Sequence, residues 1–411
     1  MQVHDLTLPA STATVRAVLS AALRRLAHDL ARLRPRARPE IAQAFERVRA
    51  AFLGELAREP GRAFAILRRP NAGAQLRVLR ELDAPSPRVD ALTASLSATL
   101  AVELVHAGAD LSITLPSTPA RVVCLGGRFV LPGGGPATLA GGRWSIEERS
   151  GVTVGGPLPS SAGGGLPSRG GATDGIGDID LRAAPERPFH PIDGGIVLAT
   201  VDDNPLAMVE AHPDKQGNAL DLGGRPASAW VEALRDGLAR VEAYLPIVRE
   251  EMELVLHQMI PVGADDEKHL SASYREALGT IYLTLHPSAM TMTEAILHEF
   301  AHNKLNAMLE LDPLLENAFH PLFASPVRPD PRPLHGVLLA VHAFLPVAAL
   351  YRAMIERGDP LAGAEAFHAR YRAIIAKNRA GVGVLLENAR PTEAGRPLLD
   401  ELRALDASFA S

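Results

Sequence analysis

The segment His298-Glu299-Phe300-Ala301-His302 constrains this chain more than any other. It spells HExxH. On an α-helix, positions i and i+4 lie one above the other, so two imidazoles on one face can share one metal ion. With 14 histidines in 411 residues, chance supplies only about 0.03 such matches. The surrounding pattern predicts a helix from about Thr293 to Leu311, capped by Thr291 or Thr293. Ala295, Leu305 and Leu309 flank the histidine face, Ile296, Phe300 and Ala307 lie opposite, and Leu297, Ala301 and Met308 lie to one side. A helix apolar on three sides belongs inside a fold. Two histidines there need strong partners, either a metal ion or backbone hydrogen bonds.

Two ligands do not complete a site. Zinc and non-heme iron centres use at least three protein ligands and keep positions open for water or substrate. The extended pattern HExxHxxGxxH is not continued, because Leu305 and Met308 occupy its later positions. Glu310 and Glu316 follow closely, but neither sits in a convincing second helix. Further on the chain reads RPDPRPLHGVLLAVHAF (Arg328–Phe344). Asp330 suits an N-cap and Pro333 a first helical turn. The helix is expected to run to about Leu345, where Pro346 would end or kink it. His335 and His342, seven residues apart, share a face of it. Either suits a third ligand with the other supporting it, and each is equally readable as a core histidine. Arg328 and Arg332 precede this helix, where a guanidinium suits bidentate capture of a carboxylate or simply faces solvent.

The rest of the chain sets the frame. A length of 411 residues predicts two domains, or one large domain with an appendage. Residues 1–110 read as helical, with helices at Ser11–Leu33, Arg38–Ala57, Arg62–Leu67, Ala74–Leu82 and Val89–Leu104. Residues 111–185 read as short strands followed by a Gly/Pro/Ser-rich linker. Residues 186–411 read as the catalytic domain, with a helix from Ser228 to about Gln258 broken or kinked at Pro246 and a strand Gly279–Leu285. The expected fold class is α+β and mainly α-helical, a buried HExxH helix packing with a second His-bearing helix and a small β-sheet. A net charge of −5 and 4% aromatic residues leave no electrostatic or stacking case for nucleic acid or an anionic membrane. Cys124 is the single cysteine, so neither an intrachain disulfide nor a thiolate zinc cluster is available. No run of about 18 uncharged apolar residues occurs and no signal peptide is visible. The expected location is cytoplasmic.

Three segments carry a family resemblance: LHEFAHNKLNAMLEL (Leu297–Leu311), RPDPRPLHGVLLAVHAF (Arg328–Phe344) and, more weakly, ARPTEAGRPLLDEL (Ala389–Leu402). In these the chain resembles the HEXXH motif-containing peptide-modification proteins associated with ribosomally made, post-translationally modified peptides (RiPP biosynthesis). The likeness covers the C-terminal half best, and nothing before about residue 190 contributes to it. Members are described as Fe(II)- and 2-oxoglutarate-dependent peptide β-hydroxylases, which are dioxygenases and so oxidoreductases. The resemblance implies iron on His298 and His302 plus one further ligand, with one of Arg328 and Arg332 holding the distal carboxylate of 2-oxoglutarate. The implied partner is a precursor peptide.

Three functions follow as expectations. The leading one is an Fe(II)/2-oxoglutarate-dependent hydroxylase acting on side-chain β-carbons of such a peptide. The second is a zincin-like metallopeptidase with Zn(II), in which Glu299 is the general base and the strand Gly279–Leu285 is an edge that pairs with extended substrate. The third is a non-enzymatic helical scaffold carrying a vestigial motif. Glu299 separates the first two, since an oxygenase needs no such base and would use it to orient a ligand or touch substrate.

Overall fold

A computed structural model of the chain describes residues 6–146, 179–181, 187–209, 211–212, 215–324 and 330–409. It is mainly helical, with small sheets, and so α+β. The chain forms two compact units, cut differently from the expected 1–110, 111–185 and 186–411. One comprises residues 1–25, 190–199 and 209–411, and the other residues 26–189 and 200–208. The first helix, α1 (Ala13–Arg32), therefore contributes residues to both.

The second of these units begins with helices that proline starts. In α2 (Pro39–Arg58), α3 (Pro60–Leu67), α4 (Pro70–Arg80) and α5 (Pro87–His106), the ring occupies the first turn. There the missing N–H costs nothing and the fixed φ suits the helix. Ser86 caps α5, its Oγ accepting from the Val89 N–H at 3.2 Å. The strands are β1 (Ile113–Leu115), β2 (Arg121–Cys124), β3 (Phe129–Pro132), β4 (Ala137–Ala140), β5 (Arg143–Ile146) and β6 (Ile179–Asp180). β2 and β3 form a hairpin, and β1-β4-β5-β6 make an antiparallel sheet. Phe45, Phe52, Leu76, Leu96, Leu100, Phe129 and Trp144 are buried. The centre also holds polar groups. Asn71 and Gln75 of α4 donate to the Asp203 carboxylate at 3.2 and 3.4 Å. The second half of the expected linker lies outside the described residues.

The other unit contains the motif. Its strands are β7 (Phe189–Asp193), β8 (Ile196–Ala199), β9 (Ala211–His212), β10 (Lys215–Gln216), β11 (Gln258–Ala264), β12 (Ser271–Ala272), β13 (Thr280–Leu285), β14 (Leu322–Phe323) and β15 (Arg332–Pro333). Five of them form a sheet in the order β12-β13-β11-β8-β7. β8, β11 and β13 are parallel, and the short β12 runs antiparallel on the edge. Parallel β8 and β11 need a crossover, and helices α6 (Ala227–Tyr244) and α7 (Pro246–Val255) supply it. Pro246 does separate these two helices. The strand Gly279–Leu285 is found as β13, but it lies inside the sheet, paired on both sides, so the edge is β12.

Helix α8 (Ala289–Leu309) carries HExxH and packs against α6, β13 and α9 (Leu334–Glu356). Its cap is Ser288, one turn earlier than expected, with Oγ accepting from the Thr291 N–H at 3.2 Å. Ile296, Leu297 and Phe300 join Trp230, Leu234, Leu283, Leu350 and Met354 in the core of this unit. α10 (Glu365–Asn388) and α11 (Gly395–Ser408) cover α9. α9 does not stop at Pro346. The proline is buried inside the helix, and packing on both faces outweighs the lost hydrogen bond. Helices α5 and α9 are long and apolar enough to cross a membrane by composition, yet 72% of each apolar window is buried within the fold.

Candidate metal centre

The α8 repeat of four places Glu294, His298 and His302 in one line, with Glu299 beside them. The imidazole rings of His298 and His302 stand 4.4 Å apart between centroids, nearly perpendicular. One potential ligand atom from each of His298, Glu299 and His302 falls within a 4.8 Å cluster. Among the described residues this is the one such group of three.

The local structure holds the cluster in place. Glu299 is 3% exposed. Its Oε1 accepts from Ser271 Oγ at 2.6 Å and its Oε2 from Ser273 Oγ at 2.8 Å. These serines stand two apart at the edge strand, so both reach the same face. One turn on, Asn303 ties α8 to the start of β13. Its Oδ1 accepts from the Gly279 N–H at 2.7 Å, and its Nδ2 donates to the carbonyls of Thr280 and Glu299. Gly279 has φ +95°, a left-handed value, and a Cβ there would meet the Val255 carbonyl oxygen at 2.9 Å. Below, Lys304 Nζ and Glu251 Oε2 make a fully buried ion pair of 2.7 Å. At the other end Glu294 receives Arg370 Nη2 at 2.7 Å and the Tyr351 hydroxyl.

The cluster opens onto a cavity of about 530 Å³. Ser271, Ser273 and Arg275 form one side, and Gly336, Leu339, Ala340 and Phe344 of α9 form a largely apolar wall. Phe344 sits 4.6 Å from the His298 ring, centroid to centroid. Asn306, Arg332 and His335 complete the lining. Burial, and next the neighbouring His302, hold His298 well below the ordinary imidazole value. Burial lowers His302 also, while the Glu299 carboxylate opposes the shift. Both rings are therefore neutral at pH 7 and able to donate a lone pair. Their buried Nδ1 atoms have no hydrogen-bond partner among the described residues. That is costly for a polar atom unless something else engages the ring. Neutral imidazoles with a nearby carboxylate suit Fe(II) or Zn(II).

The two α9 histidines part company. His335 lines the cavity, and its lowered basicity comes first from burial, then from Arg275 and His302. His342 is placed elsewhere: it is fully buried, and its Nε2 lies 3.1 Å from the Leu6 carbonyl oxygen. Seven residues span about 10 Å along a helix, so the two rings cannot both reach one ion. The cavity arc of α9 runs through positions 335, 339, 336, 340 and 344, and at 100° per residue His342 falls just outside it. Of the two arginines, Arg332 lines the cavity with its Nε 2.9 Å from Asp330 Oδ2. Arg328 lies outside the described residues. Sequence reasoning missed Ser271, Ser273, Arg275 and Asn306. The Ser-x-Ser spacing is a period-2 signal, but it comes from a strand only two residues long. Searches against protein-family models and curated proteins found no match for this chain.

Proposed function

We propose that this protein is a metal-dependent enzyme of the Fe(II)/2-oxoglutarate type that hydroxylates a peptide side chain. One observation carries the reading. The His298–Glu299–His302 cluster opens onto a cavity that also holds two guanidinium groups, Arg275 and Arg332. An anionic co-substrate calls for cations beside a metal, and a guanidinium offers bidentate capture of a carboxylate. His298 and His302 would hold the metal, and His335 is the further imidazole on the same cavity. When bound, Fe(II) with 2-oxoglutarate would activate O₂, one oxygen atom ending in succinate as the co-substrate loses CO₂ and the other in the hydroxylated side chain. The chain's own residues orient and shield. The two serines fix the Glu299 carboxylate beside His302, and Leu339, Ala340 and Phe344 exclude water from one wall.

The test is an anaerobic reconstitution with Fe(II), followed by exposure to O₂ with 2-oxoglutarate. Succinate should form, and a precursor peptide should gain one oxygen atom. Cleaved peptide with Zn(II) and without 2-oxoglutarate overturns the reading.

The zinc peptidase remains a second reading, favoured by the edge strand. Ser271, Ala272 and Ser273 line the cavity next to Glu299, where an extended peptide could add to β12. Glu299→Gln separates the two. It abolishes peptidase activity through loss of the base, whereas a hydroxylase retains metal and part of its turnover. A metal content below about 0.1 per chain after reconstitution would instead favour a scaffold with a vestigial motif.

A further inference from the structure

We propose that Arg275 is the residue that binds a carboxylate group of the small molecule entering the metal cavity. This rests on the reading of that cavity as a metal site with an anionic co-substrate. It departs from the expectation that Arg328 or Arg332 has this role.

Three observations converge on Arg275. First, it lines the cavity that holds His298, Glu299, His302 and His335. It also lines a smaller adjoining cavity of about 180 Å³, and His335 is shared by both. Arg275 and His335 therefore mark the junction of the two spaces. The charge of Arg275 is felt at His335, and His335 in turn feels His302.

Second, the two cavity arginines differ in what they already hold. Arg332 is paired with Asp330. Arg275 makes no ion pair among the described residues. Its Nη2 donates to the Leu309 carbonyl at 3.3 Å, at the last residue of α8. One such bond to backbone fixes the guanidinium without neutralising it. A guanidinium carries five N–H donors, so a bidentate face remains for a carboxylate.

Third, Asp312 and Glu299, acids of the two cavities, are already engaged by other donors. Asp312, in the smaller cavity, accepts from the Leu314 N–H at 2.7 Å and from Thr392 Oγ1 at 2.6 Å. Glu310 is buried and lines only the smaller cavity. On the metal side the acid is Glu299, which both serines engage. A small dicarboxylate would set one end toward His298 and His302 and the other on Arg275, all of which line the same cavity.

The experiment is binding of small acids to the full chain loaded with Mn(II), a redox-silent substitute for Fe(II). Titration calorimetry would use 2-oxoglutarate, glutarate, and 2-oxovalerate, which lacks the distal carboxylate. Wild type, Arg275→Gln, Arg275→Lys and Arg332→Gln are compared. Metal content and far-UV circular dichroism establish that each variant is folded and loaded. Arg275→Gln should weaken 2-oxoglutarate and glutarate by about 10- to 100-fold. It should leave 2-oxovalerate unchanged. Arg275→Lys should fall between, because it keeps the charge and loses the fork. Arg332→Gln should weaken the two dicarboxylates by less than Arg275→Gln does, because Asp330 already pairs with Arg332. If 2-oxoglutarate binds wild type and Arg275→Gln equally, the proposal is overturned while the hydroxylase reading stands. If the dicarboxylates bind through Arg275 but 2-oxoglutarate is never turned over aerobically, the proposal stands and the hydroxylase reading falls. No binding of either dicarboxylate to wild type overturns both.

Discussion

His342 offers a sharp test of the reasoning, because two roles predict opposite outcomes on replacement. It is fully buried, and its Nε2 is 3.1 Å from the Leu6 carbonyl oxygen. Burial, and then the Lys304 ammonium, push its basicity down to about 3. An imidazole in an unfolded chain titrates near pH 6.5. The folded state therefore binds fewer protons than the unfolded state between pH 6.5 and 3. Stability from this group is fully present above pH 6.5 and is lost as pH falls toward 3. Each unit of that interval corresponds to about 1.4 kcal/mol. Between pH 6.5 and 4.5, His342 alone should withdraw about 3 kcal/mol of stability. His342→Gln removes the titration and keeps an N–H donor within reach of Leu6. Urea unfolding of wild type and variant at half-unit steps from pH 8 to 4.5 would measure it. The wild-type curve should fall more steeply below pH 6.5, by one proton's worth of slope. His298 and His302 also titrate, but they do so in both proteins and largely cancel in the difference. Parallel curves would refute the account of His342 as a neutral core histidine. So would loss of bound metal from a folded His342→Gln, which would make His342 a ligand.

Three further outcomes are expected. Burial, and then Asp202, raise the Asp203 carboxyl to about 7, so its ionisation opposes folding at higher pH. Stability from this group is present below pH 4 and lost as pH rises toward 7. Asp203→Asn should therefore stabilise the protein at pH 8, by at most about 4 kcal/mol, and leave it little changed at pH 4; thermal melts at the two pH values check this. Lys304→Met strands a buried carboxylate at Glu251 and should cost about 3–5 kcal/mol in urea unfolding, much of it recovered when Glu251→Leu is added. Ser271→Ala with Ser273→Ala should cost about 3 kcal/mol by removing both side-chain donors to the buried Glu299 carboxylate. Glu299→Gln in that background should recover part of it, and no recovery would mean that the serines act elsewhere.

Much of the fold was legible because it rests on local rules. Apolar periodicity predicted α1 to α5 and α8 within a few residues, and the β-branched run of β13 was visible as a strand. Other features depend on partners distant in sequence. The spacing of His335 and His342 correctly put them on one side of α9, but spacing cannot say which neighbour each will meet. His342 meets a carbonyl 336 residues away. Pro346 was read by its local penalty, and tertiary packing on α9 overrode it. β12 is too short to carry a periodic signal, so nothing in the sequence marks Ser271, the adjoining Ser273 or Arg275 as site residues. The boundaries between units were invisible for the same reason, since residues 6–25 join a unit made mostly of residues 209–409.

The cavity asks for more than the motif alone. HExxH fixes two imidazoles and one carboxylate on a rigid, buried helix, which serves a hydrolytic or an oxidative metal equally well. What separates the chemistries is the set of groups that the rest of the fold brings to the open side of the metal. Here that set includes two cations, Arg275 and Arg332, and an apolar α9 wall of Leu339, Ala340 and Phe344. A peptidase must leave a water beside Glu299 able to lose a proton, yet both Glu299 oxygens already accept from serines. A carboxylate has further lone pairs, so this arrangement permits a base but does not require one. The proposed anionic co-substrate, by contrast, would give a partner to a guanidinium that has no carboxylate partner among the described residues and lines the same cavity as the two neutral imidazoles. The weight of the functional reading therefore falls on Arg275, which the motif does not include.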